Sequence, residues 1–257
     1  MNRAADKELI PKARYDYMNE YLSSIGPWGP RMMRGSASTQ ISIDYVDEAD
    51  CIAKMRVAQV LAPLFALMCD NTPVFEGSRR PHALMRTEIW KYCDPDRCNS
   101  VPGIFDVGFG FEDYAAYLLD VPAIVALDDD GEARYDTRTF GEIFAHRAMT
   151  DDEVFHAMSM VIPDVRLKSY VEIRPADSMP IPYVLAYAAL IKGLFYGRSS
   201  LETLVRSCAG ISESDVAKAK DALMESGYAA EVYQRSAAEI CDELITLARR
   251  GLPAAEW

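Results

Sequence analysis

Two stretches of the chain alternate between apolar and polar residues with a period of two, and they limit the fold more than any other feature. In residues 35–45, Ala37, Thr39, Ile41, Ile43 and Tyr45 fall on one side; Ser36, Ser38, Gln40, Ser42 and Asp44 fall on the other. In residues 167–174, Leu167, Ser169, Val171 and Ile173 alternate with Lys168, Tyr170, Glu172 and Arg174. Successive side chains of a strand point to opposite faces, so the pattern predicts two strands, each with one face on a core. Antiparallel sheets tolerate one-sided burial, whereas parallel sheets are covered on both faces. The polar side of the first strand is short-chained and almost uncharged, unlike an ordinary solvated face.

Most of the remaining chain reads as helix. Residues 48–69 carry an apolar stripe of Ile52, Met55, Ala58, Leu61, Phe65 and Met68, with Pro63 expected to kink the helix. Residues 7–22 form a shorter helical pattern, stopped by Gly26-Pro27 and Gly29-Pro30. Residues 111–119 are expected to be helical, and 123–127 a short buried strand before the turn at Asp128 and Gly131. Thr150 with Glu153, Ser199 with Glu202 and Ser236 with Glu239 have the spacing of capping boxes. Helices are expected over 154–161, 183–195, 201–208, 212–225 and 237–249. The most apolar window, residues 181–195, is too short to span a bilayer and suits a buried helix. The expectation is one α+β domain: an antiparallel sheet with helices on one face and a helical C-terminal third.

Charge and cysteine usage narrow the function. A net charge of −12 with no Lys/Arg run disfavours nucleic acid and anionic membrane surfaces as partners. The first eleven residues have no apolar run of the secretory kind. The six cysteines are scattered, as expected for free thiols in a reducing cytoplasm. Cys93 and Cys98 could form half of a zinc site, but no second Cys/His pair completes it. The familiar phosphate-binding, dinucleotide, nucleophile-elbow and zinc-protease motifs do not occur. The three histidines lie far apart in sequence, so carboxylates and arginines must carry any chemistry.

Glu172 and Arg174 are the first candidates, because residues two apart on a strand project to the same side about 7 Å from each other. A carboxylate able to hold Mg²⁺ beside a guanidinium able to hold phosphate suits phosphoryl transfer. Residues 71–105 form the least regular stretch, and long irregular segments in a compact domain are often functional. Arg86 and Arg97 lie there, and an arginine held rigidly can fork onto a substrate carboxylate. The solvated alternatives are an ordinary polar sheet face and ordinary surface arginines.

Nine pieces, in this order, resemble the plant-type glutamate–cysteine ligase family, which many bacteria also carry. They are Pro11-Lys12-Ala13-Arg14-Tyr15, Arg31-Met32-Met33, Ser38-Thr39-Gln40-Ile41-Ser42-Ile43-Asp44-Tyr45 and Asn71-Thr72-Pro73-Val74-Phe75-Glu76-Gly77. The series continues with Met85-Arg86-Thr87-Glu88-Ile89-Trp90, Asp94-Pro95-Asp96-Arg97, Gly108-Phe109-Gly110-Phe111 and Asp120-Val121-Pro122. It ends with Leu167-Lys168-Ser169-Tyr170-Val171-Glu172-Ile173-Arg174-Pro175-Ala176-Asp177.

The resemblance implies a glutamine-synthetase-like fold, in which an antiparallel sheet forms a cup over ATP and Mg²⁺. It also implies joining of the glutamate γ-carboxylate to the cysteine amine through γ-glutamyl phosphate. By position, Glu172 corresponds to a Mg²⁺ ligand and Arg174 to a contact with the transferring phosphate. Gln40 corresponds to a polar group beside the metal–nucleotide site, Arg86 to the clamp on the glutamate carboxylate, and Arg97 to a further substrate contact. The family's other Mg²⁺-binding acids come from a G-x-E-x-E-like strand, and nothing before Gly35 has that pattern. The chain is thus expected to lack the family's N-terminal part and to need a homodimer or a separately encoded partner. Cys98-Asn99 replaces a Thr-Gly of relatives, which leaves open a different amine substrate. A non-catalytic remnant or partner subunit is the other reading.

Overall fold

A single long helix organises the core of the computed structural model, which describes residues 3–128 and 130–253. Before it come α1 (Ala13–Ile25), α2 (Trp28–Gly35) and the short strand β1 (Ile41–Ile43). The long helix, α3 (Glu48–Met68), starts at an Asp47 cap whose side chain accepts from the Asp50 N–H, and it runs through Pro63. Among the described residues it alone is long and apolar enough to cross a membrane, yet 83% of its apolar window is buried inside the fold. It is a core helix: Phe65, Leu64 and Cys51 are fully enclosed.

Next comes the hairpin of β2 (Val74–Phe75) and β3 (Ser78–Arg79), followed by α4 (Met85–Lys91) and α5 (Phe111–Asp120). Strand β4 (Pro122–Leu127) pairs antiparallel with β5 (Ala133–Thr139), and α6 (Phe140–Ile143) follows. Helix α7 (Asp151–Met160) begins at the Thr150–Glu153 capping box. Strands β6 (Val165–Leu167) and β7 (Val171–Ile173) join β1 in a three-stranded antiparallel sheet ordered β1-β7-β6. The chain then runs through α8 (Ile181–Phe195), α9 (Arg198–Ser207) and α10 (Glu213–Ser226). The hairpin of β8 (Glu231–Val232) and β9 (Arg235–Ser236) leads into α11 (Ala237–Gly251).

The architecture is α+β, with four small antiparallel sheets among the described residues instead of one large one. One apolar cluster gathers α3, the three-stranded sheet and the helices from α8 onward. A second gathers α1, α2, α4, α7 and the β4–β5 pair.

Several expectations are corrected. The alternating stretch 167–174 is not one strand but the end of a hairpin, since the chain reverses at Lys168–Tyr170 and Leu167 pairs with Val171. A turn of three residues preserves the parity of side chains, so alternation runs through the reversal unbroken. The strand read over 35–45 shrinks to Ile41–Ile43, with one further bridge between Ser38 and Asp177. Gly29-Pro30 does not stop a helix but lies in the first turn of α2, where the N–H that proline lacks has no helical partner anyway. The helix read over 7–22 starts and ends later, at Ala13 and Ile25. Ser199 is no cap, because α9 begins at Arg198 after Gly197.

The apolar window read as a buried helix is buried only in its second half. In α8, Tyr187, Ile191, Leu194 and Phe195 are enclosed, while Ile181, Tyr183 and Leu185 are 74%, 64% and 65% exposed.

The six cysteines are free thiols. Burial pushes Cys51, Cys69 and Cys208 up to about 12 and Cys241 to about 11. A hydrogen bond with Cys93, together with burial, raises Cys98 well above its ordinary value.

Helices α8 and α11 approach so closely that a Cβ on Gly193 would overlap the Ala248 carbonyl oxygen. Ordinary helix propensity favours Ala over Gly by about 0.5–1 kcal/mol. Steric overlap should reverse that sign here, so Gly193→Ala is expected to destabilise the fold by about 1–3 kcal/mol. Urea denaturation measures this, and a gain in stability would contradict the close approach.

Candidate functional site

Glu172 occupies the middle of β7, the central strand, and the register sets both its lateral neighbours. Ser42 of β1 stands opposite on one side and Arg166 of β6 on the other. Glu172 Oε2 accepts from Arg166 Nε at 3.0 Å and from Arg174 Nη1 at 2.6 Å. Arg174 projects to the same face and also donates from Nη1 to Gln40 Oε1 at 3.3 Å. The sheet therefore brings Gln40, Glu172 and Arg174 together, as the alternation predicted.

Helix α4 adds Arg86. It is buried in the first turn, donating to Ser36 Oγ and to the backbone carbonyl of Arg174, each at 3.3 Å. Its guanidinium carbon lies 4.6 Å from the Trp90 ring centre, and that of Arg174 lies 5.5 Å from the same ring. One indole thus stands against two cations, a favourable arrangement for its π-electrons. The Trp90 Nε1–H donates to Ser36 Oγ at 3.3 Å, which holds the ring in place.

A cavity of about 20 Å³ lies between Arg86, Arg174, Trp90, Asp164 and Lys220, enough for one water-sized sphere. Lys220 pairs with Asp164 at 2.5 Å, whereas Arg86 has no carboxylate within ion-pair distance among the described residues. Arg174 Nε is buried without a hydrogen-bond partner. The neighbourhood thus has an excess of cationic donors over acceptors, a chemistry that suits a carboxylate or phosphoryl group.

The titration of these groups follows from burial and neighbours. Burial works against the Glu172 charge, yet the fields of Arg166 and Arg174 outweigh it and hold the carboxyl below its ordinary range. Burial, then the neighbouring Arg174 charge, lowers Arg86 to about 10. Burial and the Arg166 charge also lower Arg174, against the opposing pull of Glu172.

Arg97 is set apart from this group and corrected as a substrate contact. It is fully enclosed, pairing with Asp94 at 2.5 Å and donating to the carbonyls of Met160 and Pro122 at 3.1 and 3.0 Å. Each guanidinium nitrogen is occupied internally, so Arg97 ties its loop to α7 and β4 instead of facing a ligand. Cys93 and Cys98 lie side by side, and among the described residues no group of three or more His, Cys, Asp or Glu could hold a metal ion.

Sequence reasoning missed Arg166, Trp90 and the Lys220–Asp164 pair. Arg166 shares the parity of Glu172 and would have joined the polar face had the strand been started one residue earlier. Lys220 sits on α10, remote in sequence, and nothing local pointed to it.

Residues 2–255 match glutamate–cysteine ligase family 2. The chain belongs to that family. It is 30% identical over 97% of its length to "Glutamate--cysteine ligase, chloroplastic" of Arabidopsis thaliana, and 29% identical over 97% to that of Brassica juncea. The corresponding ligase of Medicago truncatula is 28% identical over 96% of this chain. These matches cover 49%, 50% and 50% of the relatives, so the chain spans about half the length of the curated ligases it matches.

Replacing Glu172 with Gln removes the anion shared by Arg166 and Arg174, and breaking such a buried pair costs about 3–5 kcal/mol. Because the folded-state pKa is depressed, the stabilisation is complete above the unfolded carboxyl value of about 4.3 and lost as pH falls through the lower folded value. The gap between native protein and Glu172→Gln should therefore be full at pH 6–7 and shrink below about pH 4. Denaturant midpoints from pH 3 to 7 measure it, and a gap independent of pH would refute the linkage.

Proposed function

We propose that this chain takes part in ATP- and Mg²⁺-dependent ligation of the glutamate γ-carboxylate to the cysteine amine through γ-glutamyl phosphate, the first step of glutathione-type thiol synthesis. The observation that supports this reading is the coincidence of family membership with the Arg86–Trp90–Arg174 cluster and its unsatisfied buried Nε. In this reading the β1-β7-β6 sheet is the chain's share of a glutamine-synthetase-like cup. Arg86 forks onto the glutamate carboxylate, Arg174 contacts the transferring phosphoryl group, and Gln40 borders the nucleotide. Six free thiols suit a reducing compartment, and we place the chain in the cytoplasm.

The residues present do not fit a Mg²⁺ cage. Glu172 is already shared by two guanidiniums and Asp164 is paired with Lys220, and among the described residues no group of three or more acids gathers there, whereas Mg²⁺ requires a near-octahedral oxygen shell. The same observation favours a second reading, in which the chain binds glutamate but turns it over only with further donors from another polypeptide, or serves as a non-catalytic subunit. A different amine in place of cysteine belongs to the first reading.

Two measurements test this. Arg86→Lys keeps the charge but loses the planar fork, and glutamate affinity by calorimetry should fall by about 1–3 kcal/mol in a variant that circular dichroism shows to be folded. Unchanged affinity in the folded variant would remove Arg86 from the substrate site. Phosphate release and γ-glutamylcysteine formation by the purified chain separate the two readings, with little turnover expected from the chain alone. Robust turnover would show that the carboxylates present suffice.

A further inference from the structure

The small cavity beside Trp90 is surrounded by more hydrogen-bond donors than the protein itself satisfies. Pro63, Pro163 and Pro175 line it together with Arg86, Arg174 and Lys220, and a proline has no N–H to offer a guest. Donors to anything inside must therefore come chiefly from the three cationic side chains. A guanidinium carries five N–H groups and an ammonium three. Arg86 spends one bond from Nη1 on Ser36 Oγ and one from Nη2 on the Arg174 carbonyl. Lys220 donates to Asp164 and to Asn99 Oδ1, the latter at 3.1 Å. The buried Arg174 Nε–H has no acceptor among the described residues.

Charge is unbalanced in the same place. Four cations, Arg86, Arg166, Arg174 and Lys220, interlock with two carboxylates, Glu172 and Asp164. Asp177, the next acid whose field reaches Arg86, is taken up by Thr72 Oγ1 and by the N–H groups of Asn71 and Ser178. Counted with it, the cations still exceed the carboxylates by one, four against three. Arg86, Arg174 and Lys220 are each more than nine-tenths buried, so solvent ions screen the excess poorly. A water molecule in the cavity would accept hydrogen bonds but cancel none of the charge, and an uncompensated buried charge is costly.

We propose that this cavity is a binding site for a monatomic anion of chloride size, held by Arg86, Arg174 and Lys220 beside Trp90. Its space of about 20 Å³ admits one sphere of water size, and a chloride ion is little larger. Sulfate, phosphate or an amino-acid carboxylate with its chain needs more room, and would enter only if the lining side chains moved. Thr87, Trp90 and Asp164 are half-buried, which leaves a path from solvent. Asn99 fixes the third arm. At φ 69° it sits in the left-handed region that asparagine tolerates, and its side-chain oxygen holds Lys220 beside Asp164. The anion site stands on this geometry alone. That glutamate must expel the ion, and that chloride therefore competes with it, rests on the reading of Arg86 as the glutamate clamp.

The full chain is melted at constant ionic strength while chloride replaces gluconate, an anion too large for the cavity. The melting temperature should rise by about 5 °C between about 1 mM and about 300 mM chloride, as mass action requires of a ligand that binds only the folded state. Arg86→Gln removes the one cation of the set that has no carboxylate partner among the described residues, so it strands no buried anion and should fold. This variant should lose the chloride dependence and, without chloride, melt no lower than the parent, which a purely structural role for Arg86 would not give. Crystals of the chain grown with bromide should show an anomalous peak among Arg86, Arg174 and Lys220. Melting indifferent to chloride would overturn the proposal, and a bromide peak seen only at molar concentration would then mark an adventitious ion only. Glutamate calorimetry with and without chloride is read separately. Weaker glutamate binding in chloride supports displacement, whereas chloride binding that leaves glutamate untouched upholds the anion site and removes Arg86 from the clamp. Intact glutamate binding with no chloride effect of any kind would sink the anion site and leave the ligase reading standing.

Discussion

The carboxylate of Glu172, held between the guanidiniums of Arg166 and Arg174, is the interaction on which the arrangement of the site depends. A buried charge without a partner is strongly disfavoured, and one carboxylate beside two cations leaves a net positive environment. That imbalance links three strands at once. Arg166 comes from β6, Glu172 and Arg174 belong to β7 and its continuation, and Gln40 reaches across from the β1 side. The same imbalance is available to an incoming anion. The same atoms thus make a structural ion pair and leave positive charge unmatched.

Much of this was legible in the sequence because a strand's period of two survives local irregularity. Residues 40, 172 and 174 share a face whether or not the chain reverses at 168–170, so their common face could be read while the hairpin was missed. The capping box at Thr150, the one-way cap of Ser236 on the Glu239 N–H and the stripe of α3 depend on contacts within one or two turns, which sequence displays directly. Arg97 was misread for the opposite reason. Its partners at Asp94, Met160 and Pro122 come from three separate parts of the chain, and no local pattern distinguishes a guanidinium that ties loops together from one that awaits a ligand. Helix α8 was misjudged because apolarity measures what a helix prefers to touch, not whether this chain provides it.

Family membership adds what geometry alone does not carry. A cationic pocket around a tryptophan would suit many carboxylates and phosphates, whereas the match over residues 2–255 places the chain in one family. Geometry in turn disciplines the family reading: it separates Arg86 and Arg174 from Arg97, and among the described residues it gathers no group of three or more His, Cys, Asp or Glu that could hold a metal ion.

The burial of the cysteines has a consequence for how they meet small thiols and thiol reagents. With Cys51, Cys69 and Cys208 titrating near 12, Cys241 near 11 and Cys98 raised further by its neighbour, almost none of these sulfurs is ionised at neutral pH. Thiol–disulfide exchange proceeds through the thiolate, so these five groups react slowly with cystine, mixed disulfides and alkylating reagents, and slowest are the four that are also buried, Cys51, Cys69, Cys98 and Cys241. Any rapid labelling of them would report an opening of the core, which makes the protein's own sulfur a built-in gauge of its folding.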